Sequence, residues 1–202
     1  MSMTIARPNL ALKTAACGAL LERWLAWRGD RLMPQRSDVD PLQLKPILPH
    51  IVIVEIRAQD LAIVRLAGTA YREMFGLELT GRNIIDLASG EERRIGAYRN
   101  FSAAAWPCGR HAELSYMYSK GLADTFEFLS LPMEADRPGE PRMLINAMQS
   151  ILGRRWLNEP VLSIAGEPGD FTRYLDIGAG VPPSLDPPDD FIVHSTRDAE
   201  GA

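Results

Sequence analysis

The sequence predicts an α+β fold in which a five-stranded antiparallel sheet is flanked by short helices and preceded by an N-terminal amphipathic helix. Residues 50–67 contain two dense runs of β-branched and apolar residues separated by the short polar turn 58–60, which is typical of a β-hairpin. Three more extended segments follow a long helical stretch that ends near Pro107. The chain order is therefore two strands, helices, then three strands.

The N-terminal helix is predicted from apolar residues at helical spacing. After Cys17, four such residues follow at three, four, seven and eight positions and share one helical face: Leu20, Leu21, Trp24 and Leu25. This face must be buried against something. It either covers the domain's own sheet or pairs with the same helix of a second subunit, and in the second case these four residues form the interface.

A helix start and a hairpin come next. Asp40-Pro41 has the form of an N-cap followed by proline at the first helical position. The strands at 50–57 and 61–67 then pair as the hairpin, and a short helix ends at Phe75 before Gly76. We expect Arg65 to pair with Glu55 on the adjoining strand and Arg82 to hydrogen-bond carbonyls of a nearby turn. The alternative for both arginines is contact with a ligand or partner.

The second half of the domain begins with the long helix. Ser89 is a candidate cap, the acids at 91–92 suit the positive end of the helix dipole, and apolar residues recur at helical spacing up to Trp106. Period-two patterning then predicts strands at 112–118, 125–133 and 142–152.

The domain is expected to span residues 15–152. Residues 1–14 are expected to be a mobile leader, and the shift towards Gly, Pro and Asp predicts a weakly ordered extension over 153–202. Two apolar pieces within this extension, at 161–164 and 191–193, are either strand-like docking segments or local surface contacts.

The segments 65–69 (RLAGT), 75–76 (FG) and 79–82 (LTGR), with Asp40-Pro41 upstream, resemble a PAS domain, specifically a single-domain bacterial family of alphaproteobacterial type. The resemblance covers about residues 20–152. It implies a sensory or signalling module that binds a small ligand or a partner protein and relays the change through the N-terminal helix or a dimer interface. The alternative is a ligandless protein interaction scaffold with a filled core.

In this family's fold the long helix crosses the sheet and forms one wall of any pocket. A sheet covered by short helices leaves room for an apolar cleft, so one alternative is a pocket for a neutral or weakly polar small molecule, and the other is a filled core. Six aromatic side chains either line this pocket or fill the core: Tyr71, Tyr98, Trp106, Tyr116, Phe126 and Phe128. A homodimer and a separate signalling protein are the expected partners, because no output segment is recognisable in the chain.

No cofactor is assigned. The helix at 69–75 lacks the cysteine that forms a flavin–thiol adduct in photoreceptor PAS domains, and the long helix lacks the axial histidine of haem-binding ones. His111, just beyond that helix, is expected to be a partly exposed histidine at a strand end. Cys108 is expected to be a small buried or half-buried residue.

Charge and composition exclude several functions. The net charge of -4 and pI near 5.4 argue against nucleic acid as the main partner. No apolar run approaches the roughly 20 residues of a membrane span, and two cysteines without metal spacing or a secretory signal indicate a cytoplasmic protein. No metal site and no catalytic constellation is recognisable, so enzyme activity is not expected.

Overall fold

A seven-stranded antiparallel sheet organises the part of the chain that the structure describes. In this computed structural model, that part comprises residues 10–118, 123–153, 161–165 and 171–193. The strands are β1 Ile51–Ala58, β2 Leu61–Ala67, β3 Gly109–Tyr118, β4 Ala123–Met133, β5 Met143–Ser150, β6 Val161–Ala165 and β7 Phe171–Leu175. They lie in the order β2-β1-β5-β4-β3-β6, and β7 pairs with β3 beside β6.

Helices cover both faces of this sheet. The α-helices are α1 Ala15–Arg28, α2 Pro41–Leu44, α3 Thr69–Phe75 and α4 Gly90–Ala105, and 3₁₀ turns lie at Arg36–Asp38, Leu48–His50 and Ile84–Leu87. One core cluster lies between the sheet and α3 and α4, and a second lies between the sheet and α1. The predicted α+β fold with its antiparallel sheet is confirmed, but the sheet has seven strands rather than the predicted five, because β6 and β7 of the C-terminal extension pair with β3.

The N-terminal helix α1 covers the chain's own sheet. Leu20, Leu21 and Trp24 are buried in the second cluster, and the Trp24 indole donates to the carbonyl of Pro132 at 2.9 Å. Leu25 is half-buried beside them. Of the two partners left open for this face, the one it contacts is the chain's own sheet: α1 packs on strands β4 and β5, and burial of its apolar face there is stabilising.

The C-terminal extension differs from its prediction. Residues 171–193, expected to be weakly ordered, contain strand β7 and bury Ile177 and Phe191 in the two clusters. The piece at 161–164 lies in strand β6, which pairs with β3. Both strands are short, and pairing with the edge of β3 supplies the hydrogen bonds that local sequence does not predict. Residues 154–160, 166–170 and 194–202 of this extension lie outside the described residues.

Part of the predicted N-terminal leader is bound to the sheet. Residues 1–9 of the predicted mobile leader lie outside the described residues. Lys13 and Thr14, by contrast, are held by hydrogen bonds from their backbone N–H groups to Glu127, so the end of the leader is fixed to the sheet.

Two of the predicted helix-end signals, at Asp40 and Gly76, are present, whereas a third, at Ser89, is not. The Asp40 side chain accepts the Leu42 N–H at 2.9 Å, as expected for an N-cap before Pro41. Helix α3 ends at Gly76, whose φ of 67° favours glycine. Ser89, in contrast, makes no capping hydrogen bond with its side chain at the start of α4.

The two arginines of the family-like stretch have structural partners. Arg65 lies 3.4 Å from the Glu55 carboxylate across the hairpin, and Arg82 donates to the Glu78 carbonyl at 2.8 Å. Both predicted bracing contacts are therefore confirmed.

Gly68 explains why the Gly-Thr pair separates β2 from α3. Its N–H donates to the Ile51 carbonyl at 2.7 Å, which draws the backbone against the preceding 3₁₀ turn. A Cβ at this position would overlap the carbonyls of Leu48 and Pro49. Only glycine permits this approach.

Candidate ligand-binding site

A cavity of about 410 Å³ lies between α4 and the inner face of the sheet. Most of its wall is apolar, with side chains from β1, β3, β5 and the 3₁₀ turn before α4: Val52, Val54, Ile85, Ala112, Leu114 and Met148. Small-molecule pockets in proteins measure about 300–1,000 Å³ and are mostly apolar with a few polar groups. The size and lining of this cavity fall within that description.

Helix α4 leaves room for the cavity through a missing side chain. Gly96 lies in the wall, and a Cβ built there meets no atom within 4 Å. The outer side of α4 is covered by the C-terminal segment, where Phe191 packs edge-on against Tyr98 with ring centroids 5.1 Å apart. Arg94 and Arg99 donate to the carbonyls of Pro188 and Leu185 in the same segment.

Three of the six predicted aromatic residues line the cavity, namely Tyr71, Tyr116 and Phe128. The Tyr71 hydroxyl is buried and has no hydrogen-bond partner among the described residues. Burial raises the pKa of Tyr71 well above its usual range, so the hydroxyl keeps its proton and can donate it in a hydrogen bond.

The other three aromatic residues lie elsewhere. Tyr98 faces the C-terminal segment, Trp106 follows the end of α4 with 48% of its surface exposed, and Phe126 packs in the core edge-on to Tyr116. Helical and strand periodicity identified the buried faces of these elements. It did not identify how far along each face the cavity extends.

Arg110 is a cavity residue that the sequence analysis did not identify. Its half-buried guanidinium lies over the Phe128 ring at 4.9 Å and donates to Asn100 at 3.3 Å. Burial lowers the pKa of Arg110 to about 10, which still leaves it protonated at neutral pH. The period-two pattern of Ala112 and Leu114, extended back by two residues, would have placed Arg110 on this face.

Asn146 is the second polar residue of the wall that sequence reasoning missed. Its amide nitrogen donates to the carbonyls of Val52 and Leu144 at 3.1 and 3.3 Å. Its amide oxygen is buried without a hydrogen-bond partner in the described part of the chain. Asn146 thus presents an acceptor to the cavity from the middle of the sheet.

The opposite face of the sheet carries a buried ionic cluster centred on Glu127. This fully buried carboxylate accepts hydrogen bonds from the Lys13 N–H at 2.8 Å, the Thr14 N–H at 2.7 Å, the Thr14 hydroxyl at 2.6 Å and His111 Nε2 at 3.0 Å. Burial raises the pKa of Glu127, but these hydrogen bonds outweigh it and lower the pKa to about 2. Glu127 is therefore an anion that binds the start of α1.

His111 is more deeply buried than the sequence predicted. It was expected to be partly exposed, yet its ring is 3% exposed and contacts Glu127 and the edge of Phe171. The tail strand β7 and the start of α1 cover it, and neither contact was predictable from local sequence. Because His111 points to the α1 face, its ring does not reach the cavity.

The described residues contain no reactive thiol at Cys108, no metal cluster and no membrane-spanning helix. Cys108 is buried, as predicted, and burial raises its pKa to about 12, so it remains a thiol at neutral pH. Within the described ranges, no three or more His, Cys, Asp and Glu residues lie close enough to hold a metal ion. In those same ranges, every helix is too short or too polar to cross a lipid bilayer.

The family whose description is "PAS domain" matches residues 12–148. No curated protein matches. Among solved structures, an RNA-binding light-oxygen-voltage receptor is similar, with 21% sequence identity and a TM-score of 0.39 over 60% of this chain. The match covers 36% of that receptor, so this chain spans about a third of its length.

Proposed function

The chain belongs to the PAS domain family, and on that premise we propose that it is a sensory module whose cavity between α4 and the sheet binds a small molecule. The module works by binding and relay rather than by catalysis. It acts in the cytoplasm as a homodimer and passes the change to a separate signalling protein.

The observation that supports ligand binding is the cavity between α4 and the sheet, which no side chain fills. A scaffold that served only to bind proteins would gain stability by filling about 410 Å³ with side chains, since empty volume in a core is destabilising. Here Gly96 keeps that volume open from the helix side. The ligandless scaffold, which requires a filled core, is accordingly the weaker candidate.

The two faces of the central strands support a relay to α1. Arg110 and His111 are neighbours on β3 but face opposite sides of the sheet, and Phe128 and Glu127 do the same on β4. A ligand that shifts these strands on the cavity side displaces the groups that hold α1 on the other. Such coupling requires two arrangements with different affinity for the ligand.

Helix α1 is attached at its start by side chains of the sheet. Glu127 accepts the N–H groups of Lys13 and Thr14, and Gln149 accepts the N–H of Ala16 at 2.9 Å. These are N–H groups that the helix itself cannot pair. Release of this contact would expose the face of Leu20 and Trp24 to a second subunit or a partner protein.

Native mass spectrometry of the untagged full chain tests ligand binding. We expect a stoichiometric mass excess that is lost on denaturation. Gly96→Leu projects into the cavity and should remove the excess, whereas the matched helix substitution Gly18→Leu, also in open space, should retain it. No excess in the unsubstituted protein, even after incubation with cell extract, would favour the ligandless scaffold.

Hydrogen exchange tests the relay. Binding of the ligand is expected to change exchange at the amides of Lys13, Thr14 and Ala16 more than at the outer amides of β2, because the former are bonded to Glu127 and Gln149. Unchanged exchange at these three amides on saturation with ligand would contradict the relay through α1.

A further inference from the structure

A row of polar residues crosses the sheet face that carries the cavity. Arg110 on β3 lies opposite Ser130 on β4, Ser130 lies opposite Asn146 on β5, and Asn146 lies opposite Val52 on β1. Directly opposite residues of antiparallel strands point to the same face. The three polar side chains therefore share the face that carries the cavity.

This row is only partly satisfied within the protein. The Asn146 amide oxygen and the Ser130 hydroxyl are buried, at 3% and 1% exposure, and neither has a hydrogen-bond partner in the described residues. Arg110 forms no ion pair with a carboxylate in those residues, and its one bond is to the amide of Asn100. Buried polar groups are almost always paired in proteins, so the two members of this row that lie in the cavity wall, Arg110 and Asn146, mark a place for polar atoms of a ligand.

The charges around the cavity favour an anion. Three arginines and one glutamate contribute to the wall. Arg93 is bonded to Asp86 at 3.0 Å, Arg99 lies 3.8 Å from Asp186, and the glutamate, Glu92, is solvent-exposed. This leaves Arg110 as the cation that faces the interior, next to the second positive charge of Arg99.

The position of Arg110 also suits a planar anion. The guanidinium carbon of Arg110 lies over the Phe128 ring, 4.9 Å from its centroid, and this cation–π contact holds the group at the cavity wall. A carboxylate can accept two parallel hydrogen bonds from the N–H donors of a guanidinium group. Water can satisfy the same donors, but it supplies no negative charge.

We propose that the ligand of this cavity is a small carboxylic acid with an apolar body, whose carboxylate binds Arg110 while the body contacts the apolar wall. A hydroxyl or N–H donor elsewhere on the ligand meets the free amide oxygen of Asn146. This inference rests on the proposed function and names the ligand class of that site. It replaces the neutral or weakly polar ligand that the sequence suggested, because Arg110 was not placed in the pocket there.

Calorimetric titration of the full chain with matched acids and amides tests this class. The probes are decanoate, 3-phenylpropionate and 3-(4-hydroxyphenyl)propionate, each paired with its primary amide. At least one acid is expected to bind about tenfold or more tightly than its amide. In Arg110→Gln this preference should vanish, and in Arg65→Gln, an arginine paired with Glu55 outside the cavity, it should persist.

The acid-to-amide ratio is measured within each variant, so partial loss of folding in Arg110→Gln does not obscure it, and Arg110→Lys should retain part of the preference. Equal binding of acids and amides, or a preference that survives in Arg110→Gln, would overturn the carboxylate while leaving the proposed pocket intact. Binding of no probe, together with no mass excess in the native protein, would overturn both proposals.

Discussion

Replacing Glu127 by glutamine is expected to destabilise the protein by about 3 kcal/mol at pH 7. Glutamine resembles the protonated carboxyl in shape and charge, so the cost follows from the pKa. Its lowering from 4.5 to about 2 corresponds to about 3 kcal/mol at 1.36 kcal/mol for each pH unit. The amide NH₂ of glutamine would also face N–H donors, because both carboxylate oxygens accept backbone N–H groups of residues 13 and 14.

The lowered pKa of Glu127 also makes the stability of the protein depend on pH. Because the pKa of Glu127 is lower in the folded state, the stabilisation is complete above the unfolded pKa of about 4.5 and is lost as pH falls towards about 2. The unfolding free energies of the unsubstituted protein and of Glu127→Gln should therefore converge over this interval.

Urea denaturation monitored by tryptophan fluorescence measures this difference, since Trp24 lies buried on α1. Glu113→Gln is the matched control. Glu113 is on the neighbouring strand and pairs with the partly exposed Lys13 ammonium, so its loss should cost less than about 1 kcal/mol. A Glu127→Gln protein as stable as the control at pH 7, or a difference that does not change down to pH 2.5, would refute the reasoning.

Three further substitutions test the packing. Gly68→Ala should destabilise strongly, by more than about 2 kcal/mol, because its Cβ overlaps the Leu48 and Pro49 carbonyls; a neutral effect in thermal unfolding would contradict the close approach. Asp40→Ala should cost about 1 kcal/mol through loss of the cap on α2, and Asp40→Asn should cost less; equal losses in urea denaturation would be inconsistent with capping. Trp24→Ala should cost about 3–5 kcal/mol, whereas Leu42→Ala, at 79% exposure, should cost under about 0.5; similar midpoints for the two would show that α1 does not cover the sheet.

Local sequence patterns predicted most elements of the fold within a few residues. The predicted strand at 61–67 matches Leu61–Ala67, and the helix from residue 15 ends at Arg28, one residue before the predicted stop. These elements have strong periodicity and recognisable ends, so little beyond the local chain is needed to specify them.

The candidate site was predicted less completely. Tyr71, Tyr116 and Phe128, which were expected either to line a pocket or to fill the core, lie in the cavity wall, but Arg110 and Asn146 were missed. A charged or amide side chain in a strand is expected to face solvent, and only the register of the neighbouring strands shows that these two face inward.

The sequence by itself determined the α+β class, the hairpin, the helix ends and the alternation that separates the two faces of each strand. The tertiary structure decided what those faces meet. The tail pairs with the edge of β3 through β7, and Thr14 bonds to Glu127 across 113 residues of chain. Such contacts depend on where distant segments come together, and the periodicity of one segment carries no information about its partner. The open cavity, its arginine and the anchored helix are consequences of that assembly.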